Sequence, residues 1–177
     1  AQRPPDVAYL AMQKEAAHMF LGKPRESLRS ILLKPWYEIE IVYRFRRDDF
    51  APAPRVDVVM LRLRKRGPPL VNPSDRQYFR DFVAYVFTYW QPGADNPFKR
   101  IFTRQQLNYL TRELRFDPGA TPTSIPIEQW LNLFGQVKIT GNERAKRAIS
   151  GSEQRLLRRQ RRIQKIHRTR ALSRISR

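Results

Sequence analysis

The chain has 177 residues, of which 35 are Lys or Arg and 16 are Asp or Glu, so its formal net charge is +19. It contains no cysteine, which excludes disulfide bonds and cysteine-ligated zinc or iron–sulfur centres. No run of residues approaches the about 18 apolar residues that a membrane-spanning helix needs. The hydrophobic fraction of 41% is typical of a globular body with a buried core.

The first elements predicted along the chain are two helices. Asp6 is a good N-cap, and apolar residues at helical spacing predict a helix from Val7 to Leu21. Gly22-Lys-Pro24 is expected to end this helix. A short second helix is predicted to begin at Pro24 and to end at Pro35.

Two stretches in which apolar and charged residues alternate predict an antiparallel hairpin, with strands at about 37–46 and 56–66. The pattern also predicts a register with one apolar face and one face of oppositely charged pairs. The predicted pairs are Glu38–Arg64, Ile39–Leu63, Glu40–Arg62, Ile41–Leu61 and Tyr43–Val59. The alternative is a helix over 36–47, supported by Glu40 and Arg44 four residues apart. The β-branched content of this stretch favours the strand.

Helices are predicted to cover the apolar face of this hairpin, because a lone hairpin is marginally stable in water. Asn72-Pro73 begins a helix that runs to about Trp90 and is rich in aromatic residues. We interpret it as the central core helix, since base-stacking platforms lie on sheets and exposed grooves. Thr103 and Gln106 predict a capping box at the start of a further helix, and Gly135 is predicted to end the last helix of the body.

The last 36 residues contain 13 Lys or Arg and two acids. Such an unbalanced block of charge is stable when it is solvated or neutralised by a polyanion. We therefore predict a globular body over residues 1–141 and an Arg-rich RNA-binding extension over residues 142–177. The predicted RNA-binding residues are Arg144, Lys146, Arg147, Arg155, Arg158, Arg159, Arg161, Arg162, Lys165, Arg168, Arg170, Arg174 and Arg177.

A second basic patch is predicted outside the extension. Its members are Lys65, Arg66, Lys99, Arg100 and Arg104. Arg62 and Arg64 are not included, because the predicted register pairs both of them with glutamates. The predicted fold class is therefore α+β, mostly α, with helices packed on a two-stranded antiparallel hairpin and a long basic helical extension at the C-terminus.

Catalytic motifs are sparse in this sequence. Two histidines and no cysteine leave few candidates for a general base or a nucleophile. The chain has no Gly-x-x-x-x-Gly-Lys, Gly-x-Gly-x-x-Gly or Gly-x-Ser-x-Gly motif. Asp48-Asp49 is the one adjacent acid pair, and its Pro-containing loop is typical of a solvated turn. The sequence therefore predicts a protein that is not an enzyme, with no catalytic residue, metal ion, cofactor or small-molecule substrate.

The apolar body followed by Arg155-Leu-Leu-Arg-Arg-Gln-Arg-Arg resembles a ribosomal protein. The arginine bias, the Pro-rich aromatic body and the absence of an initiator Met are similar to a lineage-specific mitochondrial ribosomal protein whose presequence has been removed. That resemblance implies a structural constituent of the ribosome in the mitochondrial matrix. It also implies rRNA and neighbouring ribosomal proteins as partners, and it leaves the ribosomal subunit and the rRNA segment open.

Three alternatives accompany this hypothesis. The first is a ribosome assembly factor or another RNA-binding protein of the organelle. The second is a DNA-binding protein, although the connector between the helices at 103–115 and 127–135 is long for a helix-turn-helix. The third is a peripheral subunit of a membrane complex, for which the extension lacks a clear apolar face.

Overall fold

The computed structural model of the chain describes residues 5–92, 96–140 and 143–162. Its strands are β1 (Val7–Gln13), β2 (Tyr37–Arg44) and β3 (Val58–Lys65). Its helices are α1 (Lys14–Leu21), α2 (Leu28–Leu33), α3 (Arg76–Tyr89), α4 (Pro97–Ile101), α5 (Arg104–Glu113), α6 (Ile127–Thr140), α7 (Glu143–Ile149) and α8 (Ser152–Arg162). The architecture is therefore a mixed α/β fold, mostly helical, with a small antiparallel sheet.

The sheet has three strands in the order β1-β3-β2, and not the two strands predicted. The predicted helix from Val7 to Leu21 is wrong in its first half, where β1 pairs antiparallel with β3 along its whole length. Ala8 and Met12, which lie on one face of this strand, pack against the apolar core of the sheet. A short apolar run fits either period, and here pairing with the second edge of β3 determines the structure.

The predicted register between β2 and β3 is confirmed for the pairs from Glu38–Arg64 to Ile41–Leu61. The pair Tyr43–Val59 is wrong, because the register shifts between Ile41 and Tyr43 and brings Tyr43 opposite Met60. A bulge of this kind inserts an extra residue into one strand and increases its local twist. Since β2 occupies this stretch, the alternative of a helix over 36–47 is excluded.

The sheet and the helices have separate cores. Val59, Leu61 and Leu63 of β3 form a small buried cluster with Ala17 of α1. The larger cluster surrounds α3, as predicted for the aromatic helix, and Phe79 and Phe82 in it are fully buried. Both of these rings pack against Phe134 of α6, and Phe82 also meets Trp130 edge-on.

Of the three predicted signals at the ends of α3, α5 and α6, two are confirmed. Asn72 accepts a hydrogen bond from the backbone N–H of Ser74 and caps the turn that leads into α3. Thr103 and Gln106 form the predicted capping box of α5. The prediction that Gly135 ends a helix is wrong, because α6 continues to Thr140 and buries Val137 in the main core.

The helices α7 and α8 pack on α3. Ala145 and Ile149 of α7 are fully buried in the main core, and Gly151 has a positive φ of 72° in the turn between the two helices. Glycine adopts this left-handed conformation without the steric cost that a side chain imposes. In the described part of the chain, no helix is long and apolar enough to span a bilayer.

Candidate nucleic-acid interface

Two acids anchor α8 to α3. Asp81 of α3 is 5% exposed, and its carboxylate accepts hydrogen bonds from the backbone N–H groups of Gly151, at 3.0 Å, and Glu153, at 2.9 Å. N–H groups at the start of a helix have no acceptor within the helix, so Asp81 of α3 caps the N-terminus of α8. Glu153 in turn accepts from the Arg80 Nε at 2.9 Å and from the Gln77 Nε2 at 3.1 Å.

The contact between Arg80 and Glu153 is reflected in the ionisation of the glutamate. The hydrogen bond from Arg80 holds the pKa of the Glu153 carboxyl below its usual range, although burial acts in the opposite direction. Gln77 donates a further hydrogen bond that also lowers this pKa. The glutamate is therefore stabilised as an anion in the folded protein.

Arg155 has a structural role at the junction of α7 and α8. Its guanidinium donates to the carbonyl oxygens of Ser150, at 2.8 Å, and Ala148, at 3.1 Å. It also donates to the Ser152 hydroxyl at 2.6 Å. These acceptors include carbonyls at the end of α7, where a positive charge is favourable. Most of the donors of Arg155 are thus used within the protein.

The other cations predicted on α8 point into solvent. Arg158, Arg159 and Arg162 are exposed along the second half of the helix. Arg161 is exposed next to this group. Within the described part of the chain, none of these four arginines is paired with an acid. They form a basic surface, called here the α8 arginine face.

The predicted cations of α7 differ in their surroundings. Lys146 is 2.9 Å from a carboxylate oxygen of Glu143, and this pair lowers the pKa of Glu143 and raises the pKa of Lys146. Arg147 donates to the Glu143 carbonyl at 3.2 Å. Arg144 is exposed on the same helix and lines a cavity described below. The remaining predicted RNA-binding residues, Lys165, Arg168, Arg170, Arg174 and Arg177, lie outside the described residues.

The structure divides the predicted second basic patch. Lys65 and Arg66 lie at the end of β3 beside a cavity of about 450 Å³. Lys65 is 3.4 Å from Asp6, and the Arg66 Nε donates to the Lys34 carbonyl at 2.9 Å. In the same cavity, the Arg76 guanidinium lies over the buried Trp36 ring, 4.8 Å from its centroid. Through these contacts, Lys65 and Arg66 hold the end of β3 in place.

Lys99 and Arg100 of α4 lie at a different cavity, of about 700 Å³, between α3, α4 and α7. Arg144 joins them there, so the structure brings together two members of the second patch and one residue of the predicted extension. Arg104 is exposed at the start of α5 and does not line this cavity.

Sequence reasoning missed the buried acid that holds α8. Asp81 is the one acid between Arg76 and Trp90, in the most apolar stretch of the chain. A charged residue at a core position is normally paired or hydrogen-bonded. This was the available signal, although it does not identify Gly151 and Glu153 as the partners.

The fold and these exposed cations define a mixed α/β protein with a basic helical surface. The chain belongs to the ribosomal RNA adenine dimethylase family, whose family model matches residues 1–138. The matched region includes the whole sheet and most of α6.

Individual relatives agree with this family. The chain is 28% identical over 145 residues to "Ribosomal RNA small subunit methyltransferase A" of Nostoc punctiforme, covering 79% of this chain and 50% of the relative. It is 31% identical over 130 residues to an "rRNA methyltransferase" of Streptomyces thermotolerans, covering 72% of this chain and 43% of the relative. The crystal structure of the 23S rRNA methyltransferase ErmE superposes with a TM-score of 0.65 at 27% identity, covering 75% of this chain and 55% of that one. The chain thus spans about half the length of the curated relatives it matches.

These findings overturn the resemblance to a mitochondrial ribosomal protein. The family is one of rRNA methyltransferases, so the predictions of a structural ribosomal constituent and of a protein that is not an enzyme are wrong. The prediction that no small-molecule substrate is involved conflicts with the same match. The prediction of a protein that is not an enzyme depended on the absence of catalytic motifs. A chain that spans half the length of its relatives does not have to contain the motifs of the whole enzyme. The predicted mitochondrial localisation relied on that resemblance and stays a prediction.

Proposed function

We propose that this chain acts in the methylation of adenine in ribosomal RNA, as the part of an rRNA adenine methyltransferase that contributes one side of the sheet and a basic RNA-binding surface. The observation that carries the proposal is the family match over residues 1–138. The net charge of +19 and the unpaired α8 arginine face support RNA as the macromolecular substrate.

The methyl donor of the whole enzyme is proposed to be S-adenosylmethionine. A nucleoside ligand of this kind typically meets a glycine-rich turn after a strand and an acidic residue that binds the ribose hydroxyls. The sequence has no Gly-x-Gly-x-x-Gly motif, and the two cavities described above are lined by Lys and Arg. A further cavity beside α8 has two acids, Asp81 and Glu153, but both carboxylates already accept hydrogen bonds within the protein. A cationic sulfonium does not fit such surroundings. We therefore assign the donor site to the part of the relatives' length that this chain does not match.

One of the two edges of the described sheet supports this division. Among the described strands, β1 pairs with β3 on one side and with none on its other side. Tyr9 and Leu10 of β1 are exposed together with Val7. An edge strand with unpaired backbone groups and exposed apolar side chains is suited to accept another strand. We propose that β1 joins this sheet to the donor-binding part of the enzyme.

The proposal is tested in cells. The gene is deleted in its native host, rRNA of the small and large subunits is separated, and N6-methylated and N6,N6-dimethylated adenosine are measured by mass spectrometry of the nucleosides. We expect one modified adenosine to disappear from one of the two rRNAs and to return on complementation with the gene. Unchanged adenosine methylation in both rRNAs would contradict the proposal. The separation also decides between the two rRNA classes that the relatives' names include.

A further inference from the structure

The cavity between α3, α4 and α7 combines positive charge with aromatic rings. It measures about 700 Å³, within the range of about 300–1,000 Å³ that is common for small-ligand sites. Its described lining residues are Tyr85, Tyr89, Lys99, Arg100, Arg144 and Ala148. Three of the six are cationic, which favours an anionic group.

The charges at this cavity come from two helices. Lys99 on α4 and Arg144 on α7 are both exposed, and neither is paired with an acid among the residues that the structure describes. Arg100 lies close enough to Tyr85 for its charge and a hydrogen bond to act on the Tyr85 hydroxyl. Cations on two helices can contact one phosphate from different sides.

The aromatic wall is formed by two tyrosines one helical turn apart on α3. Their ring centroids are 4.8 Å apart, with an angle of 46° between the ring planes. Tyr85 is 4% exposed and belongs to the core, whereas Tyr89 is 39% exposed at the end of the helix. The buried ring thus supports the exposed one. Of these two rings, that of Tyr89 is therefore the one that a ligand can reach from solvent.

We propose that this cavity holds one unpaired nucleotide of the RNA, with its phosphate between Lys99 and Arg144 and its base against the Tyr89 ring. Proteins that bind single-stranded RNA combine cations along the backbone with aromatic rings on which bases stack. A base within a duplex is already stacked and cannot enter a concave site, so the cavity selects a nucleotide from a loop, a bulge or an end. The proposal rests on RNA being the substrate, as proposed above, and not on methyl transfer itself.

The first test concerns charge. The full 177-residue chain is titrated with a fluorescein-labelled single-stranded RNA, and the dissociation constant is measured by anisotropy at several salt concentrations. For Arg144→Gln, we expect weaker binding and a slope of log affinity against log salt that is shallower by about 0.7, the value for one phosphate contact in a single strand. Arg112→Gln, which removes an exposed arginine of α5 away from the cavity, is the matched control and should leave the slope unchanged.

The second test concerns stacking. Tyr89→Ala should weaken binding by about fivefold or more, the usual loss for one stacked base. Tyr89→Phe should retain most of the affinity, because it keeps the ring. If the alanine variant fails to fold, Tyr89→Leu replaces it, because leucine removes the ring and keeps an apolar side chain. Tyr109→Ala is the matched control, since Tyr109 is exposed on α5 and does not line the cavity. With 2-aminopurine in the RNA, the fluorescence change on binding should be lost in Tyr89→Ala and kept in Tyr89→Phe.

Three outcomes would overturn the inference. The first is unchanged affinity and salt slope in both Arg144→Gln and Tyr89→Ala. The second is a loss of RNA affinity in Arg144→Gln with no loss of affinity in Tyr89→Ala, which would mean that the site binds a phosphate and no base. The third is displacement of the RNA by adenosine monophosphate at the same concentration as unlabelled RNA, which would indicate a site for a free nucleotide.

The RNA-binding measurements and the test of the proposed function can each give a negative result without the other. If deletion of the gene leaves rRNA methylation unchanged while the variants lose RNA affinity as expected, the proposed function is wrong and the nucleotide site stands. If methylation depends on the gene while the variants bind RNA normally, the site is wrong and the function stands.

Discussion

The sheet and the α8 arginine face use their arginines in different ways. On the sheet, the Nε of Arg62 donates to Glu40 at 3.1 Å, and the Nε of Arg64 donates to Glu38 at 3.0 Å. The hydrogen bond and charge of Arg64 also lower the pKa of Glu38. On α8, Arg158, Arg159, Arg161 and Arg162 have no acid beside them in the described part of the chain. The number of cations therefore does not by itself indicate an interface, and we expect the unpaired cations to mark it.

The largest expected effect tests this difference directly. Replacing Arg158, Arg159, Arg161 and Arg162 together by Gln should make the salt dependence of RNA binding shallower by roughly 3 in log–log slope. It should weaken binding at moderate salt on the order of 10²-fold. The matched control is Arg62→Gln with Arg64→Gln, which removes paired arginines from the sheet. The control removes two arginines and the variant four, so the losses are compared per arginine removed. Equal losses per arginine would remove the distinction between paired and unpaired cations.

The second effect concerns the attachment of α8. Asp81→Ala leaves the N–H groups of Gly151 and Glu153 without their acceptor in a partly buried position, which should cost about 2 kcal/mol of folding stability. The midpoint of thermal unfolding should fall by about 4–8 °C. Asp48→Ala is the control, because Asp48 lies in an exposed loop. A melting curve of Asp81→Ala that overlays the wild type would contradict the anchoring role.

The sequence predicted the regions that depend on nearby residues. The register of β2 and β3 follows from two alternating patterns, and the capping box of α5 follows from Thr103 and Gln106. The missing strand depends on distant pairing, because β1 is stabilised by residues about fifty positions later in the chain. The burial of Val59 and Leu61 marks β3 as a central strand that needs a partner on each side, but this burial is seen only in the structure.

The candidate site was less predictable than the fold. Exposed arginines such as Arg158 are identified by composition, but sequence does not separate them from Arg155, which donates to the end of α7. Likewise, the convergence of Arg144 with Lys99 depends on α7 packing against α3 and α4. Packing between elements far apart in sequence determines which cations remain free.

The third effect is a pH dependence of folding stability at the contact between Glu153 of α8 and Arg80 of α3. The folded protein lowers the pKa of Glu153, so its contribution to stability is present above the unfolded pKa of about 4.3 and is lost as the pH falls through the lower folded value. Glu153→Gln should therefore be less stable than wild type at neutral pH, and the difference should shrink in acid. Urea unfolding between about pH 7 and about pH 3 measures both curves. A constant difference across this range would show that the Arg80 contact does not depend on the ionised carboxylate.

The smallest expected effect comes from removing the acids that pair with the sheet arginines, while every arginine is kept. Glu38→Gln with Glu40→Gln leaves Arg64 and Arg62 without their acidic partners and changes no cation. If pairing is what keeps the sheet arginines from binding RNA, the affinity of this variant should rise by about twofold or more, and its salt slope should steepen by up to about 0.7 for each arginine released. The control is Glu113→Gln, which raises the net charge by one without releasing an arginine from a described ion pair. An increase that matches this control per unit of charge would mean that net charge, and not the release of a specific arginine, determines binding. No increase at all would mean that the sheet face lies away from the RNA, so that position and pairing both separate it from the α8 arginine face.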